Sequence, residues 1–195
     1  IPAGTASPSP GDAGVPRTWN WWIKSHGVPG STGTHNWCSS ATSASDQQFM
    51  LGDRNISSVQ GLKIKTRQAE NDNYWSAYEY DVTRWNMITF VQKAVPYDTI
   101  VTDGLMLYIN GKLAMAVDAD WDNIPEAPYE GGLMWIYFMT SYKSTAGKKP
   151  GLYSEITAWE RELNPSEISS LYYHATSPSP MRIRGGLNRQ LGRMI

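Results

Sequence analysis

The sequence predicts an all-β sandwich closed by one short helix, with an extended arm at each end. Three observations carry that reading. Nine Trp and eleven Tyr stand among 17 Gly and 12 Pro, a mixture that suits short strands between tight turns better than long helices. Asn110-Gly111 lies between two apolar runs, the strongest short-range signal for a two-residue β-hairpin. Only one stretch, "LNPSEISSLYYHA", combines a helix start signal with an apolar stripe. At 195 residues the chain is long enough for one domain with a sizeable core and short for two.

Residues 1–17, "IPAGTASPSPGDAGVPR", hold four prolines and no signal-peptide pattern, and read as an extended arm. "TWNWWIKS" is a short aromatic strand, and "HGVPGSTGTHN" after it a Gly-rich loop. "DQQFMLGD" and "GLKIKTRQ" are further strands; in the second, Leu62, Ile64 and Thr66 alternate with Lys63, Lys65 and Arg67, the pattern of a half-buried strand. "NDNYWSAYEYDV" alternates less cleanly. "RWNMITFVQKAV" puts Trp85, Met87, Thr89 and Val91 on one face, "GLMLYINGKLAMAV" supplies the hairpin, "GGLMWIYFMTSY" reads as a fully buried strand, and "GLYSEITAWER" is one more. The total is roughly eight or more strands.

In the helix, Asn164 is placed as the N-cap, Pro165 fits the first turn, and Glu167 stands where a capping box needs its carboxylate. Ile168, Leu171 and Tyr172 form the stripe that packs onto a sheet. The domain therefore spans residues 18–175, and residues 176–195 form a basic, partly apolar tail after a second "SPSP".

The order of the late elements carries a resemblance. Trp85 opening a strand, "LYINGK" at residues 107–112 and "SEITAWERELNPSEISSLY" at residues 154–172 resemble the laminin-G-like, concanavalin A-type jelly-roll domains. Arg161, Leu163, Glu167, Ile168 and Leu171 match that family's closing segment in register. The resemblance covers residues 19–173 and implies an antiparallel jelly-roll β-sandwich. It also implies a menu of functions: sugar binding, protein adhesion, glycoside hydrolysis in distant relatives, or decoration of virus particles. Fold alone does not choose among them.

Hydrolysis is not expected. The jelly-roll glycosidases carry E-x-D-x-x-E, and "EITAWE" offers Glu155 and Glu160 at that spacing, but Thr157 replaces the central acid. Alternation also sends the two glutamates to opposite faces unless a bulge intervenes. His26, His35 and His174 have no nucleophile or acid partner nearby in sequence, and the single cysteine, Cys38, excludes an intramolecular disulfide. No cofactor is expected. Asp118, Asp120 and Asp122 begin like a calcium loop, but Asn123 replaces the turn glycine and Tyr129 the closing glutamate, so a solvated acidic turn is favoured over a metal site. Trp121 in that loop, with Trp37 and Trp75 in or beside polar loops, are candidates for stacking on a sugar.

Without the four arginines of the tail, thirteen Lys and Arg face eighteen Asp and Glu, so the body is acidic and nucleic acid is not the main partner. No run is long and apolar enough for a membrane span. The tail pairs Arg182, Arg184, Arg189 and Arg193 with Ile183, Leu187, Leu191 and Met194. Leu187, Leu191 and Met194 would share one side of a helix, which suits a docking peptide that orders against a partner. Two arms on a compact sandwich fit a non-enzymatic virion surface protein, docking on other virion proteins or copies of itself and displaying a lectin-like domain, as in tailed-phage structural proteins that the chain resembles. The alternative is a secreted or cell-surface carbohydrate-binding module.

Overall fold

The computed structural model describes residues 16–25, 34–43, 46–66, 73–96, 99–120, 135–138 and 151–176. Among them the chain forms ten strands and one helix: β1 (Arg17–Ser25), β2 (Thr34–Ser43), β3 (Asp46–Ile56), β4 (Val59–Thr66), β5 (Asn73–Ala77), β6 (Asn86–Gln92), β7 (Ile100–Ile109), β8 (Lys112–Asp120), β9 (Trp135–Phe138), β10 (Gly151–Trp159) and α1 (Pro165–Thr176). The strands make two antiparallel five-stranded sheets, ordered β10-β1-β6-β7-β8 and β5-β4-β3-β2-β9. The predicted all-β jelly-roll sandwich with one late helix is the observed architecture. No helix among the described residues is long and apolar enough to cross a membrane.

Alternation decides which side chains fill the space between the sheets. From the first sheet come Trp19, Trp21 and Ile23 of β1, Ile88 and Phe90 of β6, and Leu105, Leu107 and Ile109 of β7; from the second come Leu51, Leu62 and Ile64. Leu62 and Ile64 are the residues that the period-2 pattern of β4 singles out. The Asn110-Gly111 turn also forms as predicted, with both residues in the left-handed region, φ 53° and 78°, as a tight hairpin between twisted strands requires.

One strand departs from the sequence reading. Residues 26–36 read as a loop, yet β2 starts at Thr34 and runs centrally in its sheet between β3 and β9. Its polar residues gave no alternation signal. The described part of "GGLMWIYFMTSY", which reads as a fully buried strand, is β9, paired with β2 at the end of its sheet among the described strands; its side chains lie outside the described set.

The outer face of the first sheet is covered by α1. Met87, Val91, Met106 and Tyr108 enclose Leu163 and Ile168, with Leu171 and Tyr172 packed alongside, so β6 is buried along its whole length. The cap predicted for α1 is present in full. The Glu167 N–H donates to Asn164 Oδ1 at 3.0 Å, and the Asn164 N–H returns a bond to Glu167 Oε2 at 2.9 Å. The same carboxylate receives both Arg161 amines, at 2.7 and 3.0 Å. The Arg161 guanidinium, with help from the Asn164 N–H, lowers the Glu167 pKa to about 2. The hairpin turn seats under α1: Ser169 Oγ donates to the Gly111 carbonyl at 3.1 Å.

Candidate functional site

The surface beside α1 is organised by the short connection ahead of β6. Asp81 Oδ1 accepts the Thr83 N–H at 2.9 Å and the Thr83 hydroxyl at 2.6 Å, an Asx turn made by the residue type best suited to it. These donors, with Arg84, hold the Asp81 carboxyl below its ordinary pKa. The Arg84 Nε lies 3.0 Å from Asp81 Oδ2. Val82 is buried and its carbonyl accepts the Ser25 N–H at 2.9 Å, which pins the turn to the end of β1. Asn86 then donates to the carbonyls of Asp81 and Arg84 and accepts from Asn110 Nδ2, the last at 2.9 Å. Asn110 in turn accepts the Met87 N–H at 2.9 Å.

Trp85 is held between these ties. It precedes the first residue of β6 and remains 42% exposed, whereas Trp19, Trp21 and Trp37 are buried. It lines two cavities. The larger, about 500 Å³, runs from Tyr78, Glu79, Tyr80 and Asp81 across Asn86, Asn110 and Lys112 to Tyr172 and Tyr173. The smaller, about 350 Å³, is walled by Trp22, Ser154, Glu155, Ala175 and Thr176. Trp85 is the one described residue that lines both. Trp22 stacks on Tyr172, centroids 6.1 Å apart and planes 23° apart, and Tyr172 meets Tyr173 edge-on at 5.9 Å. An exposed indole offers a flat apolar face, and the amides, carboxylates and hydroxyls around it offer donors and acceptors in fixed places. That combination matches a sugar ring, which is apolar on its faces and polar around its rim.

The glutamate in the smaller cavity comes from a break in alternation. Strand β1 pairs with β10 through Asn20↔Thr157 and then Trp22↔Ser154, so β10 carries one extra residue there. Glu155 sits in that bulge at φ 53°, and bulges re-aim side chains in this way. Glu160 lies beyond the end of β10, where its charge acts on Arg17. The bulge that a shared face for Glu155 and Glu160 requires is therefore present, but Thr157, not an acid, lies between them.

The residues singled out from sequence fall elsewhere. Trp37 is a correction. It lies in central β2, fully buried, edge-on to Tyr80 at 6.1 Å, with its carbonyl accepting the Tyr153 hydroxyl at 3.0 Å. It cannot stack on a sugar, because the sandwich core covers it. Trp75 has its backbone in β5 opposite Lys63, and its side chain is outside the described residues. Asp118 is an exposed residue of β8 whose Oδ1 accepts the Asp103 N–H at 3.0 Å. Asp120 ends β8 with its side chain outside the described set, as are Trp121 and Asp122 altogether. Among the described residues no group of three His, Cys, Asp or Glu is placed to hold a metal ion. Arg182, Ile183, Arg184, Leu187, Arg189, Leu191, Arg193 and Met194 of the tail lie outside the described residues. His35, which has no partner nearby in sequence, faces Asp53 across the β2–β3 pair with Nδ1 3.7 Å from Oδ1. Asp53 also accepts the Tyr80 hydroxyl at 3.4 Å. Burial first, and Asp53 second, push the Tyr80 phenol well above its usual pKa, so it stays neutral and donates its hydrogen bond to Asp53.

The architecture is that of a jelly-roll β-sandwich. No protein-family model matches the chain, and no curated protein matches it in sequence. Solved structures match the fold. A native heptameric SAP-like pentraxin from Limulus polyphemus superposes with a TM-score of 0.54 at 18% identity, over 86% of this chain and 72% of that one. The binding domain of botulinum neurotoxin DC in complex with SialylT gives 0.52 at 15%, over 84% of this chain and 36% of that one. A structure of botulinum neurotoxin type C, whose cell entry is described as dependent on interaction with two ganglioside molecules, gives 0.51 at 16%, over 82% and 36%. The chain thus spans little more than a third of those toxin chains. At these identities the likeness is one of fold.

Proposed function

We propose that this chain is a non-enzymatic, lectin-like carbohydrate-binding domain whose ligand lies across Trp85. The observation that carries the reading is the position of Trp85. It is a half-exposed indole, pinned by the Asp81 turn and shared by two cavities lined with polar side chains. A glycan crossing both would stack one ring on Trp85 and place its neighbours in the cavities, so affinity would come from several modest contacts. The fold neighbours support the same class of ligand, since two of them are described with SialylT or with gangliosides. A glycan array probed with the whole chain, repeated with Trp85→Ala, tests the reading. Binding that falls about tenfold or more in the variant, with the fold intact by circular dichroism, is expected; undiminished binding refutes it.

Display on a virion, docked through residues 181–195, remains a separate proposal from the sequence. The arms that motivate it are outside the described residues, and none of the similar structures named above is a virion protein.

A further inference from the structure

We propose that the smaller cavity is a subsite for a sugar carrying a free, protonated amino group, so that the chain prefers glycans containing glucosamine-type residues over their N-acetylated and neutral counterparts. The proposal rests on the glycan-binding reading and adds the chemical class of ligand. Two features of the cavity point to an ammonium group. Its walls include two indoles: Trp22, fixed by its stack on Tyr172, and Trp85. A cation over an indole face is attracted by the ring quadrupole. Among the described residues Glu155 is the only charged one that lines the cavity, and among them that carboxylate forms no ion pair.

The larger cavity gives no such preference. It is lined by two acids, Glu79 and Asp81, and two bases, Arg84 and Lys112, with Arg84 already paired to Asp81 at 3.0 Å. Discrimination by charge therefore belongs to the smaller cavity. The backbone supports a purpose for Glu155. A left-handed φ of 53° at a bulge is cheapest for glycine and costs a non-glycine residue about 1 kcal/mol. The sequence nevertheless places a glutamate there, in the lining of the cavity that holds the two indoles. An ammonium in this site gains a charge-assisted hydrogen bond and a cation–π contact. An N-acetylated amine keeps one N–H for the carboxylate but carries no charge, so it loses the ion pair and the cation–π contact and needs more room.

The test is a titration of the full chain, followed by tryptophan fluorescence and calorimetry, with three oligosaccharides of equal length: glucosamine, N-acetylglucosamine and glucose. The glucosamine oligomer should bind about tenfold more tightly than the other two. Glu155→Gln should abolish that preference, bringing the glucosamine oligomer to the affinity that the neutral oligomers show for the same variant. Glu155→Gly, which suits the left-handed backbone, should behave the same way, so a poorly folding glutamine variant does not leave the matter open. Trp85-dependent binding of all three oligomers with equal affinity overturns this proposal alone. No binding of any glycan, or binding indifferent to Trp85→Ala, overturns the underlying reading. The cavity lining includes Thr176, the first residue of the basic tail as read from sequence. If Arg182→Gln with Arg184→Gln raised affinity for glucosamine about tenfold, the chain's own arginines would be the occupant and the proposal would fall.

Discussion

Replacing Trp85 with alanine removes the surface on which the functional reading stands, and the structure sets the size of the effect. A tryptophan exposes at most about 250 Å², so the 42% left open at Trp85 is about 100 Å². At about 25 cal/mol per Å², covering all of it would contribute about 2.5 kcal/mol. A sugar ring covers one face rather than the whole exposed edge, about half, which leaves about 1.3 kcal/mol, or roughly a tenfold change in Kd. The assay is titration of a binding glycan into wild type and Trp85→Ala, with thermal melts of both. The expected result is a tenfold weaker Kd, up to about seventyfold if the ligand wraps the indole. The fold should persist, because the Asp81 turn is tied by Thr83, Asn86 and Ser25 rather than by the indole. A Kd that changes less than about twofold in a folded variant would mean that the exposed face is not covered by ligand, and the reasoning would fail there.

Three further substitutions probe the frame that holds the site. Trp37→Ala, at a position fully buried between the sheets, should cost about 3–5 kcal/mol of stability; a denaturant melt that barely moves would show that this indole is not in the core. Gly111→Ala forces a side chain onto φ 78° and brings its Cβ within 3.2 Å of the Ser169 Cα and the Tyr172 Cβ. A loss of about 1–2 kcal/mol is expected, with weaker glycan binding because Tyr172 lines the larger cavity; unchanged melting would refute the seating of the turn under α1. Glu167→Gln tests the cap through pH. The Arg161 guanidinium lowers the folded pKa of Glu167 from 4.5 to about 2, so the folded chain binds that proton more weakly than the unfolded one. Its stabilisation is whole above about pH 4.5 and is lost as pH falls toward 2. The melting gap between wild type and variant should close across that window; a gap that persists at the acid end would place the effect elsewhere.

What the sequence made legible is what short-range chemistry decides. The α1 start depends on Asn164, Pro165 and Glu167, all within one turn, and every predicted contact is present. The Asn110-Gly111 hairpin needs only residues that tolerate a left-handed backbone. The alternation in β4 names Leu62 and Ile64 as buried, which they are. Trp37 failed because its burial is not local: its polar neighbours suggest a loop, and the cover comes from Tyr80 and Tyr153, distant in the chain.

The site itself was hidden for the same reason. Trp85 was legible as the residue opening the Met87, Thr89 and Val91 face of a strand. Only the docked helix shows where the cover of that face stops. Ile168 and Leu171 close over Met87 and Val91, and Trp85, ahead of the first strand residue, remains 42% exposed. Glu155 needed a second long-range fact. Period-2 counting assigns it a face, but pairing against β1 inserts an extra residue between Ser154 and Thr157, and Glu155 lines a cavity with Trp22 and Trp85. Neither residue carries a motif. They meet because one strand ends its cover early and another carries a bulge, so a site of this kind is found by asking where alternation breaks beside an exposed aromatic.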